Sequence, residues 1–259
     1  MVMLMNKLKA LIIIFLMIFS FYLSDQITSL AIKKNPIMQT IEENSDALTV
    51  MSKDATILEN TIIPGISGKK VDKDASFFKM KEFGSFNETF FVYEKVKPEI
   101  SLEDNKNKVI VNGNKTLRQV SIIVEDKDEL IQFFSQSNIK VSVLSTLKTN
   151  LEDKEYINSE NTTENFNDLD SILKKNNLNK QICIIEYSNI ESCLEKKYYL
   201  VKPNIIISNV NIIKNKQNIS NGSIILINDN VTIESLNIIL NQIKYLDLNV
   251  VYLSELITE

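Results

Sequence analysis

The chain has 259 residues, enough for one or two domains, and a net charge of -4 from 29 basic and 33 acidic side chains. This balance, without an extended basic patch, argues against nucleic acid as a partner. The sequence contains no histidine, which excludes the histidine-ligated site of the usual zinc hydrolases and the histidine base of serine and cysteine hydrolases. The five glycines form no phosphate-binding motif.

The N-terminus has the pattern of a membrane anchor. Lys7 and Lys9 precede an uncharged run, ALIIIFLMIFSFYL, that ends shortly before Asp25. The run is short for a spanning helix, but the apolar residues before it and the long lysine side chains extend the span. We predict an uncleaved signal anchor over residues 1–24, with a cleaved signal peptide as the alternative. Both interpretations export the rest of the chain, and the first makes it a single-pass cell-membrane protein with an extracytoplasmic C-terminal domain.

Export gives the two cysteines a structural meaning. Cys183 and Cys193 are the only two in the chain, and an even number of cysteines in an exported protein indicates a disulfide. Two buried free thiols are the alternative. Neither cysteine has a neighbouring base, so we do not expect a catalytic thiol.

Between the anchor and the C-terminal half, the pattern changes twice. Apolar residues near helical spacing predict a helix from about residue 35 to residue 60, and we assign residues 25–60 to a helical stalk. Residues 61–117 contain turn signals, one short predicted helix and short predicted strands, which indicate a small α+β module. Near Arg118 the pattern changes to alternating strands and helices, which predicts a domain boundary there.

Residues 118–259 alternate short apolar strands with amphipathic helices. The predicted strands include VSIIV, IKVSVLS, QICIIEY, NIIIS, GSIILIN and VVYLS. The clearest amphipathic helix, VTIESLNIILNQIKYLDL, lies between the last two. Continuous apolar strands separated by such helices indicate a parallel sheet covered on both faces. The predicted fold class is therefore α/β.

Both ends of this region resemble the polysaccharide deacetylase (NodB-homology) family. GSIILIND at residues 222–229 is similar to the family's GSIILLHD strand, and VYLSEL at residues 251–256 is similar to its last strand. At the front, VSIIVEDKDELIQFF from residue 120 resembles the VALTFDDG segment. The resemblance implies a parallel-stranded, NodB-like distorted (β/α) barrel, shortened, and preceded here by the anchor and the small α+β module.

The resemblance also implies which site residues have been replaced. In that family an aspartate and two histidines hold a divalent metal, a preceding aspartate is the base, and a late histidine is the acid. Here Glu125 and Asp126 take the two aspartate positions, and Asn228 takes that of the late histidine. The histidine pair has no counterpart, and an asparagine cannot donate a proton at accessible pH. These positions are therefore vestigial, and we expect no catalytic residue, no metal and no cofactor.

Ordinary helix starts also account for the acidic residues that remain. Asp126 and Glu129 have the spacing of a capping box, and Asp229, Asn230 and Thr232 precede the amphipathic helix. At most, the carboxylates would hold a weakly bound hard cation such as Ca²⁺ or Mg²⁺.

We predict a membrane-anchored extracytoplasmic pseudoenzyme of a bacterial envelope that binds or organises cell-wall glycan. Its partners would be cell-wall polysaccharide or other envelope proteins. The candidate glycan-pocket residues are Tyr187, Tyr198, Tyr199, Pro203, Asn228 and Asp229. Two alternatives remain open: an active carbohydrate deacetylase with a rebuilt carboxylate metal site, and an envelope scaffold that does not bind glycan.

Overall fold

The computed structural model describes residues 2–151, 154–228 and 230–259 of the chain. The α-helices in these residues are α1 Val2–Lys33, α2 Pro36–Ser45, α3 Lys73–Phe83, α4 Asp128–Gln136, α5 Thr163–Lys175, α6 Ile190–Glu195, α7 Ile212–Asn215, α8 Ile233–Tyr245 and α9 Leu253–Leu256. The strands are β1 Thr56–Leu58, β2 Thr61–Ile63, β3 Gly68–Val71, β4 Tyr93–Val96, β5 Val109–Ile110, β6 Gln119–Glu125, β7 Ser142–Ser145, β8 Glu155–Asn158, β9 Ile182–Ile184, β10 Tyr199–Val201, β11 Ile205–Ile207, β12 Ile224–Ile227 and β13 Asn249–Val251. Short 3-10 helices cover Glu88–Phe90, Glu103–Asn105 and Lys216–Asn218.

The chain folds into two compact units. The first unit comprises Met1–Met51 and Gly68–Val96, and the second comprises Ser52–Ser67 and Lys97–Glu259. The domain boundary predicted near Arg118 falls inside the second unit, and the predicted domain limits stay predictions of the sequence.

The first unit begins with the long apolar helix α1. Its stretch Ile12–Lys33 is 22 residues long, and it is the one stretch of the described chain that is long and apolar enough to cross a membrane, by length and composition. A small body follows, in which α2 packs on α3 and the antiparallel strands β3 and β4 pair. Asn35 caps α2, accepting a hydrogen bond of 2.9 Å from the backbone N–H of Ile37.

The predicted helix over residues 35–60 is shorter in the structure. Helix α2 ends at Ser45, and Thr56–Leu58 forms strand β1 instead. Between them Val50 pairs with Lys69, and Lys53 pairs with Ile66, in isolated β-bridges. Backbone pairing with a distant segment therefore overrides the helical spacing of the apolar residues, as tertiary context commonly does.

The second unit contains two sheets whose strands are parallel, apart from the β1–β2 pair. One sheet has the order β11-β12-β6-β7-β8, with β13 paired to the start of β6, and the other has the order β1-β2-β5-β10-β9. The predicted α/β class with a parallel sheet is confirmed. No closed ring of strand pairs joins the two sheets in the described part of the chain.

The two sheets share one interior. Alternate residues of their strands form a common buried cluster that includes Ile123, Leu144, Leu226, Ile184 and Val201. The other face of the β6 sheet packs against apolar residues of α4, α5 and α8. Side chains of a strand alternate between its two faces, so each strand contributes to both layers, as the continuous apolar runs predicted.

Cys183 on β9 and Cys193 in α6 form a disulfide with a Cα–Cα distance of 6.4 Å. Both residues are fully buried in a small apolar cluster with Phe166, Tyr198 and Leu200. The disulfide therefore ties α6 to the sheet that holds β9 and β10.

Candidate functional site

The carboxyl ends of β6 and β12 bring two of the predicted positions together. Ile227 lies opposite Val124 in the parallel ladder, so the next residues along the two strands, Asn228 and Glu125, are also neighbours. Ile123 and Leu226 point into the shared interior. Because side chains alternate along a strand, Glu125 and Asn228 lie on that same side, at the mouth of the interior.

Tyr187 reaches this mouth from the end of β9. Its hydroxyl donates a long hydrogen bond of 3.4 Å to Oε1 of Glu125, and its ring packs against the interior cluster. The turn that carries Tyr187 is held by Ser188, whose hydroxyl donates to the backbone oxygen of Asn158 at 2.6 Å. Glu186, the residue before Tyr187, has a positive φ of 80°, a strained conformation that is found more often at functional sites.

Asp126 is bonded differently from the prediction. Helix α4 begins at Asp128, its N-cap is Lys127, and no side chain caps it. The capping box predicted for Asp126 and Glu129 is therefore wrong, because the helix starts one residue too late for Asp126 to be its N-cap. The hydroxyl of Thr149 donates instead to Oδ2 of Asp126 at 2.5 Å, which ties the segment after β6 to the loop between β7 and β8.

Asn228 has an unusual environment. Its backbone N–H donates to the backbone oxygen of Ile207 at 3.1 Å. Its side-chain Oδ1 is buried, yet it accepts no hydrogen bond from the described residues. A buried acceptor without a partner costs free energy and calls for an explanation such as a ligand or an ordered water. The neighbouring candidate Asp229 lies outside the described residues.

We call Glu125, Asp126, Thr149, Tyr187 and Asn228 the carboxyl edge. The other predicted pocket residues lie elsewhere. Tyr198 directly precedes β10 and Tyr199 is its first residue, at the amino end of the strand, whereas Tyr187 follows the carboxyl end of the adjacent β9. Pro203 is buried in the link between β10 and β11. The structure therefore brings Tyr187 and Asn228 to the carboxyl edge, and does not bring Tyr198 or Tyr199 there.

The hydroxyls of Tyr198 and Tyr199 have carboxylate partners of their own. Tyr198 donates to Oδ1 of Asp170 at 2.8 Å, and Tyr199 donates to Oε2 of Glu103 at 2.7 Å. Burial, together with the hydrogen bond and charge of Glu103, raises the pKa of Tyr199. Both hydroxyls therefore stay protonated donors, and each has a structural partner.

Asp170 is the centre of a buried polar cluster. It is 2% exposed, and its Oδ2 lies 3.1 Å from Nζ of Lys174 and 3.3 Å from Nζ of Lys196. The side-chain amide of Asn179 also donates to it. Burial raises the pKa of Asp170, but the hydrogen bonds from Tyr198, Lys174 and Lys196 outweigh it and hold the pKa below its ordinary value. We call these five residues the Asp170 cluster.

Comparison with known proteins identifies the fold. No protein-family model matches the chain. Over 92 residues the chain is 32% identical to the uncharacterized protein YlxY of Bacillus subtilis (strain 168), a stretch that covers 35% of this chain and 29% of that protein's length. The crystal structure of wild-type BA3943, a CE4 family pseudoenzyme from Bacillus anthracis, matches with a TM-score of 0.57 and 15% identity, over 87% of this chain and 96% of that one. The chain has the fold of the CE4 family.

A mutant of BA3943 with restored enzymatic activity matches equally well, with a TM-score of 0.56 and 15% identity over 87% of this chain and 99% of that one. The NodB-like fold predicted from the two ends of the domain is thereby confirmed. Identities this low concern the fold, so the chemistry of the site has to be argued from the residues of this chain.

The donors at the carboxyl edge do not fit the metal site that the family resemblance implies. That site needs two histidines, and this chain has none. The described residues include no group of three or more histidine, cysteine, aspartate or glutamate side chains that could hold a metal ion. The carboxylates of Glu125 and Asp126 instead accept hydrogen bonds from Tyr187 and Thr149.

Sequence reasoning missed Thr149. It lies in the polar stretch between β7 and β8, which has no periodicity that would place it. Its hydroxyl also accepts a hydrogen bond of 2.8 Å from the backbone N–H of Thr146, which fixes its position. Its role depends on a contact with Asp126, 23 residues away in the chain, and no local signal reports such a contact.

Proposed function

We propose that this protein is a membrane-anchored, extracytoplasmic glycan-binding protein with a deacetylase fold and no deacetylase activity. In this proposal α1 is an uncleaved anchor, the domain over residues 118–259 faces the cell wall, and the carboxyl edge binds cell-wall polysaccharide. The observation that carries the glycan-binding part is Oδ1 of Asn228, which is buried and has no partner among the described residues.

The chemistry of the carboxyl edge suits a ligand rich in hydroxyl groups. Oδ1 of Asn228 needs a donor, and a sugar hydroxyl supplies one. Glu125 is next to it in the ladder and accepts a long hydrogen bond of 3.4 Å from Tyr187, and the two oxygens of a carboxylate can accept further hydrogen bonds from sugar hydroxyls. The ring of Tyr187 offers an amphipathic surface beside these acceptors, as carbohydrate sites require.

The loss of catalysis follows from the residues at the family positions. Deacetylation needs a group that protonates the leaving nitrogen. The position of the family's acid is occupied by Asn228, whose amide is not acidic at accessible pH. The metal ligands implied by the family have no histidine counterparts in this chain. The likeness to BA3943, itself described as a pseudoenzyme, agrees with this proposal at the level of the fold.

Retention of the purified full chain on insoluble cell-wall glycan tests the proposal, with Asn228→Leu as the decisive variant. Leucine keeps the volume of the side chain and removes the buried oxygen. We expect the variant to bind glycan more weakly by about 1–1.5 kcal/mol, or roughly five- to tenfold. We expect its stability to be unchanged or slightly higher, because an unsatisfied buried acceptor is lost.

Tyr199→Phe is the matched control, since it removes a hydroxyl at the other end of the strands and should leave retention unchanged. Equal retention of wild type and Asn228→Leu would contradict glycan binding at the carboxyl edge. Release of acetate from an N-acetylated glycan by the wild type would contradict the loss of activity.

A further inference from the structure

The body of the first unit exposes aromatic side chains. Phe78 and Phe83, both on α3, are 52% and 58% exposed. In the described part of the much larger second unit, Tyr245 is the one aromatic residue among the exposed large hydrophobic side chains. Exposed aromatic residues concentrated in a small body mark a contact surface. This body follows α1 directly, and that position restricts the partners that the surface can reach.

The body is fixed to the end of the apolar helix. Ile32, in the last turn of α1, packs against the core of the first unit with Phe77 and Met80. Only Lys34 and Asn35 separate α1 from α2, and two residues span at most about 7 Å. The body therefore moves with α1.

The distance from the bilayer can be estimated along α1. Asp25 is the first charged residue after the apolar run, and Ile32 lies seven positions further along the helix. A helix rises about 1.5 Å per residue, so Ile32 lies about 10 Å beyond Asp25. The headgroup layer is about 5–7 Å deep on each side of the hydrocarbon core. A body attached at Ile32 therefore sits at the surface of the headgroups.

Phe83 has the surroundings of a side chain that enters this layer. Its ring packs edge-on against Phe90, with the ring centroids 5.0 Å apart. Lys79, one turn earlier on α3, places its Nζ over the Phe90 ring at 5.5 Å from the centroid. Aromatic rings beside a lysine are characteristic of membrane interfaces, where the rings lie among the headgroups and the ammonium group meets phosphate.

Phe78 provides the contrast on the same helix. Its neighbours four residues before and after, Asp74 and Glu82, are both carboxylates, and it lies about 140° around the helix axis from Phe83. Carboxylates disfavour contact with lipid phosphate. The two phenylalanines are similarly exposed, but Phe83 has a lysine beside it whereas Phe78 has carboxylates.

We infer that Lys79, Phe83 and Phe90, the aromatic patch, rest in the headgroup layer of the bilayer that α1 spans. This inference rests on the membrane anchor of the proposed function. The body around the patch, over residues 34–51 and 68–96, carries seven lysines and eight carboxylates, so it has no net positive charge to attract it to an anionic surface from a distance. The aromatic rings and the tether supplied by α1 hold the patch at the bilayer, and lipid charge has a small effect.

Tryptophan fluorescence of the full chain in lipid nanodiscs tests the inference. The chain contains no tryptophan, so a single introduced tryptophan reports one position without background. The variants are Phe83→Trp in the patch, Phe78→Trp as the matched control on α3, and Phe19→Trp in the apolar helix. Each is reconstituted in phosphatidylcholine with and without phosphatidylglycerol, and then in lipids carrying bromine on the acyl chains near the headgroup.

We expect bromolipids to quench Phe83→Trp and Phe19→Trp, and to leave Phe78→Trp nearly unquenched. The emission of Phe83→Trp should lie to the blue of that of Phe78→Trp, with or without phosphatidylglycerol. Quenching of Phe19→Trp alone would overturn the inference and leave the anchor intact. An unquenched Phe19→Trp would overturn the anchor as well.

Two further results would also overturn the inference. Equal quenching at Phe83 and Phe78 would mean that the whole body is embedded, with no distinct patch. A shift of Phe83→Trp emission only on addition of soluble glycan, with no quenching by lipid, would assign the patch to glycan. Since each variant replaces one aromatic residue by another at an exposed position, loss of folding is not expected to obscure these outcomes.

Discussion

The Asp170 cluster and the carboxyl edge are both built from tyrosine hydroxyls and carboxylates, but their hydrogen bonding differs. Asp170 accepts from Tyr198 at 2.8 Å and is also bonded by Asn179 and two lysines. At the carboxyl edge the Tyr187–Glu125 bond is 3.4 Å long, and Oδ1 of Asn228 has no partner among the described residues. A satisfied buried cluster stabilises the fold, whereas a buried acceptor without a partner among the described residues, such as Oδ1 of Asn228, suits a ligand.

Loss of the Asp170 carboxylate should have the largest effect. In Asp170→Ala the hydroxyl of Tyr198 and the amide of Asn179 lose their buried acceptor, and α5 loses its hydrogen bond to the residue that precedes β10. We expect a loss of about 3 kcal/mol in the free energy of unfolding, at the low end for a buried ion pair because Lys174 and Lys196 can turn to solvent. Urea unfolding of the full chain in detergent measures this loss.

Asp247→Asn is the control for that measurement, because asparagine removes the charge and tolerates the positive φ of 52° at this position. Asp247 pairs with Arg118, but its side chain is 87% exposed, so little stability should be lost. Glycan retention of folded Asp170→Ala should equal that of the wild type. A selective loss of retention in that variant would undo the distinction between the two clusters.

Removal of the disulfide should have the next largest effect. The bond between Cys183 and Cys193 closes a short loop next to Tyr198. A variant with both cysteines changed to alanine should lose about 2–3 kcal/mol of stability, as measured by urea unfolding under non-reducing conditions. Adding a reductant should lower the stability of the wild type and leave the variant unchanged. If the free energy of unfolding of the wild type were the same with and without reductant, the disulfide would have no structural role.

The pH dependence of stability should report the same cluster. The pKa of Asp170 is lower in the folded chain than its ordinary value of 3.8. The folded state therefore binds this proton more weakly than the unfolded state does, and the stability that Asp170 contributes is fully present above the unfolded pKa. That contribution declines as the pH falls below about 4 and is lost once the pH has passed the folded pKa. Asp170→Asn should flatten this part of the stability–pH curve, and an unchanged slope would show that Asp170 is not the responsible group.

The sequence predicted the strands of the second unit best where they are continuously apolar. Strands β6 and β12 are of this kind, but their pairing and register, which bring Glu125 and Asn228 together, come from the structure. Strand β8 was missed because it begins with Glu155, which is buried and accepts hydrogen bonds from Ser142 at 2.6 Å and from the N–H of Ser254 at 3.2 Å. A charged residue predicts an exposed loop until those distant partners are known.

The tyrosines show the same limit at the site. Tyr187 ends the predicted strand QICIIEY, whereas the strand that follows Tyr198 was not predicted, and sequence reasoning assigned both tyrosines to the glycan pocket. Their roles can be told apart only when it is known at which end of a strand each lies. Tyr187 follows the carboxyl end of β9, and Tyr198 precedes the amino end of β10. The first therefore lies at the carboxyl edge and the second at the opposite end, beside Asp170.

Removing the two tyrosine hydroxyls one at a time should separate the roles. Tyr198→Phe removes a 2.8 Å bond to a buried carboxylate, and we expect it to lower the free energy of unfolding by about 1.5–2 kcal/mol. Tyr187→Phe removes a 3.4 Å bond at the mouth of the interior, and we expect a loss of only about 0.5 kcal/mol. Urea unfolding of the two variants under the same conditions measures both values.

Glycan retention should rank the same two variants in the opposite order. Tyr187→Phe changes the donors around Glu125, the group proposed to meet a sugar hydroxyl, so its retention should fall although its stability barely changes. Tyr198→Phe should retain glycan as the wild type does, because its hydroxyl already has a protein partner. If both variants lost stability and retention in proportion, the weaker glycan binding would be a consequence of weaker folding. That result would contradict glycan binding at the carboxyl edge.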